Sequence, residues 1–163
     1  MQTNICSITS VKPEVDWCHA MAADRGPDEC SYSTAQKGEL ALLRVLQRSV
    51  EKGWIASRPT RECRYDLVLD DGKRLYRVQV KYAGRRAVNC EGAVSLDFTK
   101  GGKRDRTYLD HEIDAVVAYV APAHTVVWLG REHFHGRRNI QLRYVPTRNG
   151  QKNGCFMVSE LAW

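Results

Sequence analysis

The stretch Arg64-Tyr-Asp-Leu-Val-Leu-Asp-Asp-Gly-Lys-Arg-Leu-Tyr-Arg-Val-Gln-Val-Lys81 decides the fold. Apolar and polar residues alternate on both sides of Asp71-Gly72, a dipeptide suited to the positive φ of tight hairpin turns. The pattern predicts two strands, Arg64–Asp70 and Arg74–Tyr82. With Asp71-Gly72 as the central pair, Asp70 pairs with Lys73 and Asp66 with Arg77. Strand side chains alternate between faces, so Asp66, Arg77, Gln79 and Lys81 share one face. Leu67, Val78 and Val80 point the other way, toward a core. In this register Gln79 lies on the diagonal from Asp66, a Cα separation of roughly 7–8 Å that a shared ligand could bridge.

Upstream, Lys37–Lys52 reads as an amphipathic helix. Leu42, Leu43, Val45, Leu46 and Val50 form its apolar stripe, and Arg44, Gln47, Arg48 and Glu51 face water. Gly53 is the natural stop. Trp54–Arg58 is then a strand ended by Pro59. Downstream, strands are expected at Ala93–Phe98, Ile113–Val120, Thr125–Leu129 and Ile140–Val145. One helix followed by a run of strands implies an α+β or mixed α/β domain on a central sheet. Residues 1–36 show no sustained period and contain Pro13, Gly26 and Pro27, so they read as a largely irregular extension to a domain spanning 37–163.

The 163 residues suffice for one domain with a core. No apolar run approaches the roughly 20 residues that span a bilayer. The first residues lack the basic start and apolar stretch of a signal peptide, which places the expected location inside the cell. Six cysteines stand at 6, 18, 30, 63, 90 and 155 with no CxxC pair, so free thiols are expected. Cys18, His19 and Cys30 are weak zinc candidates whose spacing fits no common finger. The net charge of +6 is uneven. Residues 1–36 carry two basic and five acidic side chains, and the rest carries 23 basic and 14 acidic. A basic body points to a polyanionic partner, although surface charge alone also fits a merely soluble protein.

The shared face of the hairpin has a specific chemistry. A hard divalent ion such as Mg²⁺ is held by few carboxylates and keeps several waters. Such an ion can generate a nucleophile and stabilise charge on a phosphodiester. Asp66 suits the central ligand, and Gln79 and the Val80 carbonyl suit neutral oxygen ligands. Lys81 suits a group that orients or deprotonates water, or that offsets transition-state charge. Glu39, expected on the first turn of the helix, is a fourth candidate and its charge suits a helix N-terminus. The bland alternative is that the alternating polar residues only mark the wet side of a sheet.

These residues resemble the PD-(D/E)XK nuclease superfamily, in particular its small branch with Gln in the third motif position. That branch includes a group I intron homing endonuclease and bacterial and phage proteins. The resemblance runs from Lys37 to Leu129 in the family's order. It rests on Lys37-Gly38-Glu39, Ser57-Arg-Pro, Arg64-Tyr65-Asp66, Arg77-Val-Gln-Val-Lys81, Asp114-Ala-Val-Val-Ala-Tyr and Val126-Val-Trp-Leu. It implies a restriction-endonuclease-like core (αβββαβ), a central mixed sheet flanked by helices. It also implies Mg²⁺-dependent hydrolysis of DNA, with Mn²⁺ as a substitute, and a homodimer or homotetramer because cutting a duplex takes two sites. Asp66 matches the motif aspartate, Gln79 stands where Asp or Glu is usual, and Lys81 matches the motif lysine. Two positions depart from the pattern: Tyr65 replaces the proline before the aspartate, and Leu42 stands where relatives often carry a second glutamate.

The polyanion is then double-stranded DNA, and the partner class is not a membrane. Arg85-Arg86 and the loop residues Lys100, Lys103, Arg104 and Arg106 are the main candidates for phosphate contact. Arg131, Arg137, Arg138, Arg143, Arg148 and Lys152 extend the basic character. His133-x-His135 would share a face if strand-borne, but lacks partners for a second metal. Two rivals remain open: a nuclease-fold DNA-binding protein without activity, and a junction-specific resolvase.

Overall fold

Each element forms for a local reason and then buries one or both faces. The computed structural model describes residues 32–87, 90–99, 107–109, 111–147 and 156–163. These all belong to one unit, Tyr32–Trp163. The zinc candidates Cys18, His19 and Cys30, the loop basics Lys100, Lys103, Arg104 and Arg106, and Arg148 and Lys152 lie outside the described residues.

Helix α1 spans Thr34–Glu51, three residues earlier than the apolar period predicts. Ser33 explains the difference. Its side chain accepts from the Gln36 amide while the Gln36 side chain accepts from the Ser33 amide, a capping box that satisfies two otherwise orphan donors. The early start moves Glu39 out of the first turn, which holds no acidic residue. Gly53 follows the C-cap with φ 71, as expected for a helix stop. The buried stripe is Ala41, Leu42, Val45 and Ser49. Leu43 and Val50 were expected in it but are 55% and 76% exposed. Ala41 and Ser49 take their places because the small residues let the helix sit close to the sheet.

Five strands form the main sheet: β1 Ile55–Ser57, β2 Leu67–Asp70, β3 Leu75–Ala83, β5 Ala115–Val120 and β6 Thr125–Gly130. Their spatial order is β1-β2-β3-β5-β6. The β3–β5 pair is parallel and the other pairs are antiparallel, so the sheet is mixed. β4 Ala93–Asp97, β7 Asn139–Arg143 and β8 Phe156–Met157 make a second sheet. The crossover from β3 to β5 therefore carries a strand of that second sheet. A short 3₁₀ helix, Ala121–Ala123, and two four-residue helices, α2 Arg131–Phe134 and α3 Val158–Leu161, complete the described elements. No described helix is long and apolar enough to cross a membrane.

The main sheet is covered on both faces. On one side Leu67, Leu69, Val78, Ala115 and Val117 pack with Leu42 and Val45 of α1. On the other, Val116, Ala118, Val120, Val127 and Leu129 pack with Val94, Leu96, Ile140 and Leu142 of the second sheet. This is why every residue of β5 is buried and its sequence shows no alternation.

The hairpin register differs from the expectation by two residues. Asp71 N–H donates to Arg74 O at 3.3 Å, so the central pair is Gly72-Lys73. Gly72 at the first central position takes φ 83, which only glycine adopts freely. The Asp71 carboxylate stabilises this turn by accepting from the Lys73 and Arg74 amides at 2.8 and 2.7 Å. Asp70 consequently faces Leu75, and Leu67 faces Val78. An even shift preserves which face each side chain occupies, so the polar set stays together.

Candidate active site

The β2–β3 ladder ends at Leu67 and Val78, and just beyond it the Asp66 side chain meets Gln79 rather than Arg77. The Asp66 amide donates to Val78 O at 2.9 Å. Its carboxylate oxygen Oδ2 accepts from the Val80 amide at 2.8 Å and from Gln79 Nε2. Gln79 Nε2 also lies 3.5 Å from Val80 O. Asp66, Gln79 and the Val80 backbone therefore converge directly. The positive end of the Gln79 amide contacts two oxygens, Asp66 Oδ2 and Val80 O, that are candidate metal ligands. A cation between them would draw the amide oxygen inward instead, so the donor set fits a hard divalent ion. Among the described residues no group of three or more His, Cys, Asp or Glu side chains is placed to hold a metal. A set with one aspartate, one amide and one backbone carbonyl is of a different kind, as Mg²⁺ tolerates.

Burial pushes the Asp66 carboxyl up, against the Val80 amide, the charge of Lys81 and the Gln79 hydrogen bond, all of which favour the carboxylate. Burial also pushes the Lys81 ammonium down, opposed by the charges of Asp97 and then Asp66. Lys81 alternates with Val80 along β3 and lies toward the second sheet, where its Nζ stands 5.8 Å from the centre of the Tyr108 ring. Burial, aided by the charge of Asp66, drives the Tyr108 hydroxyl up to about 12, so it stays neutral.

On the α1 side a cleft of about 400 Å³ opens beside Asp66 and Val80. Glu39 and Leu42 line it from α1, and Arg58, Arg61, Glu62 and Cys63 line it from the β1–β2 connection. Glu39 is exposed and, from the second turn of α1, shares the cleft with Asp66. Leu42 is 6% exposed and belongs to the core, so the position where relatives often hold glutamate is here an apolar wall.

Several basic candidates have other employment. Arg77, on the Gln79 face, is held by Asp114 through Nε at 3.1 Å and by its backbone amide at 2.9 Å. Arg131 Nη2 contacts the same carboxylate at 3.0 Å. Arg143 is buried and donates to Val145 O, Cys90 Sγ and Glu91 O. These three arginines tie distant parts of the fold together. His133 sits on α2 rather than on a strand, beside Glu132, so the strand placement under which His133 and His135 would share a face is not met. Arg85 and Arg86 do stand exposed just after β3, their backbone pinned to β4 through Arg85 O and the Arg86–Val94 bridge.

Sequence reasoning missed Arg58, Arg61 and Tyr108. Arg58 lies within the Ser57-Arg-Pro strand end, so a signal existed. Arg61 and Tyr108 come from connections whose course no periodicity reveals.

The comparisons with known proteins agree with this fold. A structural match of TM-score 0.60 is found to the bacterial homing endonuclease I-Ssp6803I, at 25% sequence identity, covering 75% of this chain and 83% of that one. No match is found among curated proteins. The family model described as PD-(D/E)XK endonuclease matches residues 32–160, most of the chain and all of the site described above. A match of that extent settles the family: this chain belongs to the PD-(D/E)XK endonucleases.

Proposed function

We propose that this endonuclease is Mg²⁺-dependent, with Mn²⁺ able to substitute, and hydrolyses phosphodiester bonds of double-stranded DNA at defined sites in the manner of a homing or restriction enzyme. The observation that carries the reading is the convergence of the Asp66 carboxylate, the Gln79 amide and the Val80 carbonyl at one end of the β2–β3 ladder. The resemblance to a homing endonuclease supports the site-specific form.

Asp66 supplies the charge that holds the ion, Gln79 and Val80 supply neutral oxygens, and Glu39 adds a carboxylate from across the cleft. When bound, the divalent ion supplies Lewis acidity toward the phosphoryl oxygens and an activated water. Lys81 Nζ offsets charge developing on the phosphoryl group or orients the attacking water. Its lowered proton affinity also lets it exchange a proton there more readily than an exposed lysine. Arg58 and Arg61 line the cleft and Arg85 and Arg86 are exposed after β3, which supports reading them as phosphate contacts. Lys100, Lys103, Arg104 and Arg106 complete the proposed DNA surface. Duplex cleavage implies two such sites, hence a homodimer or homotetramer.

One observation favours the rival reading of a DNA-binding protein without activity: the apolar Leu42 in the cleft wall. Incubating supercoiled plasmid with Mg²⁺ or with EDTA separates the two. Wild type should cut only with the metal, and Asp66→Ala or Lys81→Ala should slow cutting by at least roughly 10²-fold. Plasmid that is shifted but uncut in every lane refutes the enzymatic reading, and undiminished cutting by Asp66→Ala refutes the assigned site.

A further inference from the structure

Tyr108 is 6% exposed, yet it comes from a connection rather than from a strand or helix. Its placement is enforced. The Leu109 amide donates to Glu112 Oε2 at 3.0 Å, and the Glu112 amide returns to Leu109 O at 2.9 Å. Glu112 Oε1 is in turn held by Arg64 Nε at 2.8 Å. Arg64 is two residues before Asp66, so one chain of contacts runs from the segment bearing Asp66 to the segment bearing Tyr108. Tyr108 also belongs to the core between the two sheets, with Phe98 and Ile113. The ring is thus fixed from two directions, and the side chain it faces is Lys81.

We propose that Tyr108 is a positioning residue for Lys81: its ring face holds the ammonium at the site, and the Arg64–Glu112 pair holds the ring. The inference rests on the nuclease reading for its consequence, and on geometry alone for its contact. A lysine has four rotatable bonds, and an unrestrained ammonium at the end of β3 would sample many positions. A ring under the ammonium narrows them through the attraction of a cation for an aromatic face. Catalytic groups displaced by about 1 Å lose roughly 10²-fold in rate, so this restraint bears directly on turnover.

The contact can be tested without any cleavage assay. In ¹³C-lysine-labelled wild type, the Lys81 ε-methylene, assigned by its disappearance in Lys81→Arg, should resonate upfield of exposed lysines because it lies near an aromatic face. Tyr108→Phe should keep that displacement and Tyr108→Leu should abolish it. In single-turnover cleavage with Mg²⁺, Tyr108→Leu should lose about 10- to 100-fold in rate at unchanged DNA affinity, and Tyr108→Phe should recover most of it. Thermal unfolding identifies any loss that comes from misfolding. The wild-type spectrum needs no Tyr108 variant, so it decides the contact even if Tyr108→Leu fails to fold. An ordinary Lys81 shift in wild type, or full-rate cleavage by folded Tyr108→Leu, overturns the proposal. If wild type never cuts, the nuclease reading fails and with it the catalytic consequence, while the resonance still reports on the contact.

Discussion

At the residue scale, the Asp66–Gln79 pair explains why an amide can stand where the family usually has a carboxylate. The two side chains meet just beyond the end of the ladder, and Asp66 is half-buried. Two carboxylates so placed would repel unless a cation lay between them. Gln79 removes the repulsion by donating Nε2 to Asp66. Gln79→Glu should therefore cost about 1–3 kcal/mol of stability in EDTA, since it removes a donor from a half-buried acceptor and sets a second carboxylate beside it. Mg²⁺ should recover more stability in this variant than in wild type, because ligand binding to the native state adds stability by mass action. Thermal unfolding in EDTA and in millimolar Mg²⁺ reads both effects. A variant as stable as wild type in EDTA and equally insensitive to Mg²⁺ would remove Gln79 from the metal-facing set. The hairpin alternation alone placed Asp66, Gln79 and Lys81 on one face. The two-residue error in register left this intact because side-chain direction repeats every second residue.

At the element scale, α1 shows how a cap decides which turn a site residue occupies. The apolar period predicts a helix from Lys37, and a first-turn Glu39 would have an electrostatic role at the helix end. The Ser33–Gln36 box starts the helix at Thr34, so Glu39 stands in the second turn, where it lines the cleft with Asp66. Ser33→Ala should lower stability by about 1 kcal/mol, measured by urea unfolding. An effect under a few tenths would mean that packing on the sheet, not the cap, sets the helix start. The α1 stripe was only partly legible, because Leu43 and Val50 look apolar enough to be buried. The helix meets the sheet through Ala41, Val45 and Ser49 instead, and the Ser49 hydroxyl donates back to Val45 O at 2.8 Å, which spares it a partner in the core.

At the scale of the whole described unit, Asp114 joins distant parts of the chain. It sits at the head of β5, accepts from Arg77 of β3 and from Arg131 of α2, and its side chain is 9% exposed. Burial would raise its carboxyl, but the Arg77 hydrogen bonds and charge, followed by the Arg131 hydrogen bond, outweigh this and hold it below the usual carboxylate range. A carboxyl held lower in the folded state stabilises the fold fully above its unfolded value of about 4. That contribution is lost as pH falls through the lower folded value. Asp114→Asn should cost about 1–3 kcal/mol at pH 7, discounted from a fully buried pair because Arg77 and Arg131 are partly exposed. The difference from wild type should shrink toward pH 3. Urea unfolding at both pH values checks it, and a gap independent of pH would show that shape rather than charge matters at this position.

What the amino-acid sequence determined by itself is the local grammar: the hairpin, the face carrying Asp66, Gln79 and Lys81, the α1 helix with its glycine stop, and the later β-branched strands. These follow from periodicity and turn chemistry, which act over a few residues. Only the tertiary structure decided which arginines are committed to Asp114 or to the Cys90–Glu91 segment, that Leu42 belongs to the core, and that Tyr108 lies against Lys81. Those contacts join residues far apart in the chain, and their energy depends on distance and burial that no local pattern encodes.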